Sequence, residues 1–415
     1  MKHSIRTRLR DAVALFFLLT AWLPLASAGA APDYWMYVGT YTARGGRGIY
    51  AFRFHTATGK VEPAGLAAGR FWDANAEASW SSLPRMLSQI RADWPDLKSI
   101  VRGVQDPVFL AVHPNGRYLY SADQLPVPNV SAFRIEPSTG KLTILNSKSS
   151  AGKSPVFLTV DKTGSDVLVA NYDGGNVAVL PIGPDGYLRD ATSVLSQRGS
   201  GVSRDRTPHP HSINLSPDNR FAIVADLGLD RVYVYRFDAR AGTLAPNDPP
   251  FVETPAGAGA RHLSFHPNGR FAWLIEESGS SIKTLQWDSA KGVFLPLGTV
   301  RTIPDDFHGE NGTAEILVHP SGKYLYGSNR GHDSIAVFAI DAASGGLTPI
   351  ENVSTRGSRP RSFAIDPSGR YLFVANVETQ NVIEFKIDPL TGRLAMTGTI
   401  LPVPYPASVR FAPAQ

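Results

Sequence analysis

Short apolar runs recur along the chain on either side of a polar turn. Residues 211–227 read HSINLSPDNRFAIVADL: an apolar run, a Ser-Pro-Asp-Asn-Arg turn, and a second apolar run that closes on an acid. Related hairpins occupy residues 109–124 (FLAVHPNGRYLYSADQ), 262–277 (HLSFHPNGRFAWLIEE), 315–330 (EILVHPSGKYLYGSNR) and 362–377 (SFAIDPSGRYLFVANV). A weaker copy, FLTVDKTGSDVLVANY, covers residues 157–172. With the turn proline as a marker, the copies fall at Pro114, Lys162, Pro217, Pro267, Pro320 and Pro367, and Pro413 is a seventh mark. The intervals are 48, 55, 50, 53, 47 and 46 residues. After each hairpin comes a segment such as VYVYRFDARAGTL or IAVFAIDAASGGL, whose alternation predicts a strand with one buried face before a Gly-bearing turn. A period near 50 built from short strands predicts four-stranded blades of a β-propeller.

The two ends complete each other. Near the N-terminus, WMYVGTYTARGGRGIYAFRFHTATGKV holds the later strands of a blade without its opening hairpin, and PASVRFAP near the C-terminus supplies the missing first strand. Joining them closes the ring and removes an exposed sheet edge. The fold class expected is therefore all-β, a seven-bladed β-propeller forming a single domain over residues 32–415, with one composite blade. One segment breaks the period. About residues 66–105 are inserted, and Leu83, Met86, Leu87, Ile90 and Trp94 follow helical spacing until Pro95. Such a helical insertion either packs on the rim of the first blade or covers one mouth of the ring.

Composition changes the picture at the N-terminus. Lys2, Arg6, Arg8 and Arg10 precede an apolar run from Ala12 to Ala26, and Ala26-Ser27-Ala28 is a small-residue cleavage site. Residues 1–28 read as a secretory signal peptide, which places the mature chain in the periplasm or outside the cell, with no membrane span after processing. Without those residues the formal charge falls from +5 to +2, so the basicity belongs largely to the signal, and no Lys/Arg stripe points to nucleic acid. The absence of cysteine excludes disulfides, thiolate nucleophiles and Cys-ligated metals.

Candidate chemistry comes from aligning the repeats. Six residues before the marker they read Val108, Val156, His211, Arg261, Ala314, Arg361 and Ala407; five before, Phe109, Phe157, Ser212, His262, Glu315, Ser362 and Ser408. Ten after, they read Gln124, Tyr172, Leu227, Glu277, Arg330 and Val377, with Tyr41 in the composite blade. Nine after, every repeat is polar: Asp123, Asn171, Asp226, Glu276, Asn329, Asn376 and Thr40. A polar residue shared by all blades reads as architecture. A charge in one blade where its counterparts are Val, Leu or Ala serves no shared purpose, and His211, Arg261, Glu277, Arg330 and Arg361 are such singletons. Three arginines, a carboxylate and a histidine brought together suit an anionic or carbonyl-bearing small ligand, or else a buried ion-pair network at the centre of the ring.

The stretches GTYTARGGRGIY, ANYDGGNVAV, PHPHS, DLGLDRVYVY, GAGARHLSFHPNGR and SNRGHDSIAVF resemble the seven-bladed lactonase family. That family includes bacterial 6-phosphogluconolactonase and the fungal carboxymuconate lactonising enzyme, and the resemblance covers roughly residues 35–64 and 106–413. It implies a lactone hydrolase or cycloisomerase site that uses no cofactor. The family's active-site His, Arg, Glu and Arg would fall on His211, Arg261, Glu277 and Arg330, all four already singletons. Three departures stand out: Gly-Ala-Arg-His at residues 259–262 where Gly-Pro-Arg-His is usual, Gln124 where the first hairpin often ends in Glu, and the export signal. Phosphogluconolactone is made in the cytoplasm, so an exported relative is expected to meet another small lactone or acidic sugar derivative.

In that reading Glu277, or His211 acting through a water, takes a proton from the attacking water, while Arg261 and Arg330 stabilise the oxyanion. Arg361 is expected to hold a substrate carboxylate or phosphate. His262, Tyr41 and Asn171 are further candidates for touching substrate, although His262 can equally be structural and Asn171 sits in the shared polar column. His209-Pro210-His211 lacks a fixed third ligand, so no metal is expected. The alternatives from other classes are a non-catalytic propeller that binds a ligand or protein partner in the envelope, and a cycloisomerase. Nothing in the pattern fixes an oligomeric state.

Overall fold

The computed structural model describes residues 32–69, 105–124, 127–197 and 207–414. Seven antiparallel sheets of four strands each make up these residues. The first strands of successive blades are Pro107–Val112, Pro155–Val160, Pro210–Leu215, Ala260–Phe265, Gly312–Val318 and Pro360–Ile365, numbered here blades 1 to 6. In blade 7 the C-terminal strand Pro406–Pro413 pairs with Tyr34–Thr40, which continues to Gly48–His55 and Lys60–Gly69. Each first strand touches the first strands of the blades on either side in a closed circle, so these seven line a central channel. The composite blade and the count of seven are as the repeat predicts.

The inserted segment starts later than its expected boundary at residue 66. Residues 66–69 complete the strand Lys60–Gly69, with Leu66, Ala68 and Gly69 paired to Tyr50, Ile49 and Gly48. An outer strand is half exposed and needs no apolar alternation, so GLAAG carries little strand signal. The remainder of the insertion, with its helical spacing, and the signal segment lie outside the described residues.

Adjacent blades are joined by apolar packing and by two sets of polar rungs. Buried aromatic residues on second strands donate to the outer-turn glycine carbonyl of the next blade. Tyr37 Oη reaches Gly140 O at 3.0 Å, Tyr120 Oη reaches Gly186 O at 3.1 Å, Trp273 Nε1 reaches Gly345 O at 3.1 Å and Tyr326 Oη reaches Gly392 O at 2.9 Å. These turns need glycine on two counts: Gly292, for example, has φ +69°, and a Cβ there would lie 2.2 Å from the Phe221 ring of blade 3. At the inner turns, His113, His266 and His319 contact the carbonyl of Gly164, Gly322 and Gly369 in the following blade at 2.9, 2.9 and 2.7 Å through Nε2. A stack of blades is held mainly by neighbour contacts, and these rungs reinforce the joints where they occur.

The column nine residues after the marker is buried in every blade and ties the turns together. Asn171 Nδ2 donates to Ser150 O at 2.8 Å, Asn329 Nδ2 to Thr302 O at 2.9 Å, Thr40 Oγ1 to Gly48 O at 2.7 Å, and Asp226 accepts from His209 N at 2.9 Å. It is architecture, as its uniform polarity suggests.

Candidate functional site

The pairing of first and second strands slips at one place in every blade. In blade 4, Ala260 pairs with Glu276 and His262 with Ile275, which leaves Arg261 as the extra residue of a β-bulge. The same slip isolates His211 between Pro210 and Ser212, Arg361 between Pro360 and Ser362, and Val108, Val156 and Ala407 in their blades. Blade 5 carries a longer slip that includes Ala314 and Glu315. A bulge bends the strand and re-aims side chains. Here it places one residue per blade on the upper mouth of the channel, the mouth opposite the Pro-bearing turns. Four blades put Val or Ala there, and three put His211, Arg261 and Arg361.

Glu277 lies one residue past the strand Phe271–Glu276, and its amide donates to Gly259 O at 2.7 Å. Gly259 has φ +75°, so this turn requires a glycine, while the neighbouring Ala260 is an ordinary strand residue that keeps Arg261 and His262 in place. Arg261, only 1% exposed, donates through Nε to Glu277 Oε2 at 2.7 Å. Arg330 approaches the same oxygen through Nη2 at 2.9 Å, and is itself fixed by donating to Gly312 O at 3.1 Å and Thr313 O at 2.9 Å. One carboxylate oxygen is therefore held by two guanidinium groups. The other, Oε1, has no hydrogen-bond partner among the described residues, and the side chain is 27% exposed toward the mouth. Burial pushes the Glu277 carboxyl up, but Arg261 and Arg330 outweigh it and hold it below its ordinary value.

Below this pair lies a second buried chain of contacts. Arg261 Nη1 donates to Ala314 O at 2.5 Å and approaches His262 Nε2 at 3.2 Å, while His262 Nδ1 approaches Glu315 Oε1 at 2.8 Å. Guanidinium groups have no acceptor, so His262 Nε2 must present its lone pair, and the proton sits on Nδ1 facing Glu315. Burial, with Arg261 close by, lowers the His262 pKa to about 4 despite the opposing Glu315 charge. A neutral His262 fits that geometry, whereas an imidazolium would set two donors against each other.

The structure brings together His211, Arg261, Glu277 and Arg330, with Arg361 facing the same mouth. The Arg361 guanidinium lies 5.4 Å from the Tyr41 ring centroid and has no hydrogen-bond partner among the described residues. His211 is buried, packed edge-on to Tyr172 at 5.5 Å and against His262 at 5.1 Å, and its Nδ1 has no partner among the described residues. Burial first, then Arg261, His262 and Arg361, keeps it well below its usual pKa, so it is uncharged.

Two of the expected substrate contacts are buried. His262 has both ring nitrogens engaged, by Arg261 and Glu315, and Asn171 is fully buried with Nδ2 donating to Ser150 O. His209 stacks on Tyr172 with centroids 4.4 Å apart. Among the described residues no cluster of three or more His, Asp or Glu side chains is placed to hold a metal. Tyr172 and Glu315 are site components that column comparison left unremarked: Tyr172 is the lone aromatic among the hairpin copies ten after the marker, and Glu315 is the lone carboxylate five before it.

Fold and site together define a seven-bladed propeller with an arginine-clamped carboxylate at one mouth of its channel. The family model of the seven-bladed β-propeller lactonases matches residues 91–411. A 6-phosphogluconolactonase of Bacillus subtilis is 33% identical over 377 residues, 90% of this chain and 97% of that protein. One from Formosa agariphila is 29% identical over 340 residues, 80% of this chain and 86% of that protein. The solved structure of the periplasmic gluconolactonase of Pseudomonas aeruginosa superposes with a TM-score of 0.79 at 30% identity, covering 92% of this chain and 100% of that one. The chain belongs to the seven-bladed β-propeller lactonase family, a family of lactone hydrolases.

Proposed function

We propose that this protein is an exported lactonase that opens a small sugar or acidic lactone without a metal, with Glu277 as the general base. The observation that carries this reading is the asymmetric clamp on Glu277. Oε2 is anchored by Arg261 and Arg330, which leaves Oε1 oriented and free to accept a proton from water. The resting carboxylate is a weak base because two cations stabilise it. When a substrate carbonyl oxygen turns to oxyanion and recruits Arg330, Glu277 loses part of that stabilisation and its basicity rises as it is needed. Water adds to the carbonyl carbon, Glu277 takes its proton, and the tetrahedral intermediate collapses by expelling the ring oxygen. That oxygen takes the proton back and leaves a hydroxy acid. Arg361, whose guanidinium is otherwise unengaged, suits a carboxylate or phosphate on the substrate.

Hydrolysis of a lactone panel followed by pH-stat tests the assignment. Glu277→Gln should lower kcat/KM about 10²–10⁴-fold, and His211→Asn should cost less. The base must be ionised, and its pKa lies below the ordinary 4.5, so activity should be flat above about pH 5 and fall as Glu277 protonates at lower pH. An acid limb centred at 6.5 or higher would contradict Glu277, as would a fully active Gln variant. If neither protein exceeds buffer on any lactone, a non-catalytic binding role takes its place. The periplasmic gluconolactonase relative and the basic-then-apolar run of residues 1–28 support export. N-terminal sequencing of mature protein should begin near Gly29, and a mature chain starting at Met1 would remove that part of the proposal.

A further inference from the structure

The channel has a second half. Below the layer of Phe109, Phe157, His262 and Glu315 lies a cavity of about 510 Å³ that extends to the Pro-bearing turns at the lower mouth, with Pro320 and Pro367 on its rim. That volume falls within the ~300–1,000 Å³ usual for small-molecule sites. Its wall mixes apolar side chains with Thr159, Asn214, His262 and the Glu315 carboxylate, and its one cation among the described residues is Arg410 of the C-terminal strand.

Arg410 is set in place rather than loose. Its guanidinium lies 4.3 Å from the Phe109 ring centroid, and Nη1 donates to Val409 O at 2.7 Å. It forms no ion pair among the described residues. Glu315, whose field it feels, already accepts from His262 Nδ1 at 2.8 Å, Ile316 N at 3.2 Å and Ser362 Oγ at 3.3 Å. Burial pulls the Arg410 pKa down, a sign of incomplete solvation of the charge. An arginine stays charged at neutral pH, and a part-buried charge without a paired counter-charge is costly. In the equivalent position the other six blades carry Ala111, Thr159, Asn214, Ser264, Leu317 and Ala364, so Arg410 answers no requirement of the repeat.

We propose that this lower cavity is a second ligand site, distinct from the lactone site above it, that takes a small organic carboxylate with an apolar body. The carboxylate pairs with the open edge of the Arg410 guanidinium, and the body lies against Phe109, Phe157 and Leu317. An inorganic anion would gain the guanidinium alone and would leave the apolar wall against water.

Isothermal titration of the mature protein with benzoate, benzamide and inorganic phosphate at neutral pH tests this. Benzoate should bind with one saturable site of this kind per chain, and benzamide and phosphate each at least about tenfold more weakly. Arg410→Met should weaken benzoate about tenfold or more, and Ala111→Phe, which fills the cavity and keeps the arginine, should do the same. Arg361→Met at the upper mouth should leave that site intact. The proposal fails if wild type does not bind benzoate, if phosphate or benzamide binds as well, or if binding survives Ala111→Phe and disappears in Arg361→Met. Should Arg410→Met not fold, the Ala111 and Arg361 variants still decide the outcome.

Discussion

The upper and lower mouths of the channel are made from opposite ends of the same seven strand pairs, and the repeat treats them differently. At the lower turns it repeats itself: in six of the seven blades a polar side chain precedes the marker, and three of those residues are histidines that reach the next blade's turn carbonyl. At the upper end the backbone is just as regular, with one bulge per blade, but the side chain on the bulge varies from Val and Ala to His and Arg. A fixed backbone device with a free side chain separates folding from chemistry. The ring can close with Val108 or Ala407 on the bulge, so charges placed there in other blades are open to serve a ligand. The difference should show as two kinds of mutational effect, activity at one mouth and stability at the other.

Arg330→Met should give the larger separation. It removes one of the two cations on Glu277 Oε2 and the proposed oxyanion donor, while Arg261 remains to pair the carboxylate. Removing one such donor typically lowers kcat about 10²–10³-fold. Stability should move little, because the deeply buried Arg261 keeps its counter-charge. A variant that loses its fold and keeps its specific activity would mean that the clamp is a structural ion-pair network, and the comparison between the mouths would collapse.

Much of this was legible before the structure, because a propeller writes its period into the chain. The marker proline located the hairpins, and complementary ends identified the composite blade. Comparison of equivalent positions isolated His211, Arg261, Glu277, Arg330 and Arg361. The bulge was not legible, since it is a register relation between two strands and leaves no mark on either alone. A regular strand would turn Arg261 and His262 to opposite faces. The bulge turns both inward, so they touch, and His262 supports Arg261. Asn171 belongs to a uniformly polar column, and the structure buries it with Nδ2 donating to Ser150 O. Arg410 carried a signal that went unread, because the columns compared stopped short of the position three before the marker, where it alone is charged.

The smaller effect belongs to the lower mouth, and His319→Ala isolates it. His319 Nε2 meets Gly369 O at 2.7 Å across the joint between blades 5 and 6, and Nδ1 faces Ser321 Oγ at 2.8 Å within its own turn. Truncation leaves a mostly buried carbonyl without its partner, a loss of about 1–3 kcal/mol that chemical unfolding would register. Blade 5 also carries Arg330 at its other end. If the two ends of the hairpin are independent, kcat/KM should stay within about twofold of wild type. If instead activity falls with stability intact, the rung at the lower turn sets the position of Arg330 through the length of the strand, and the two mouths are one coupled device.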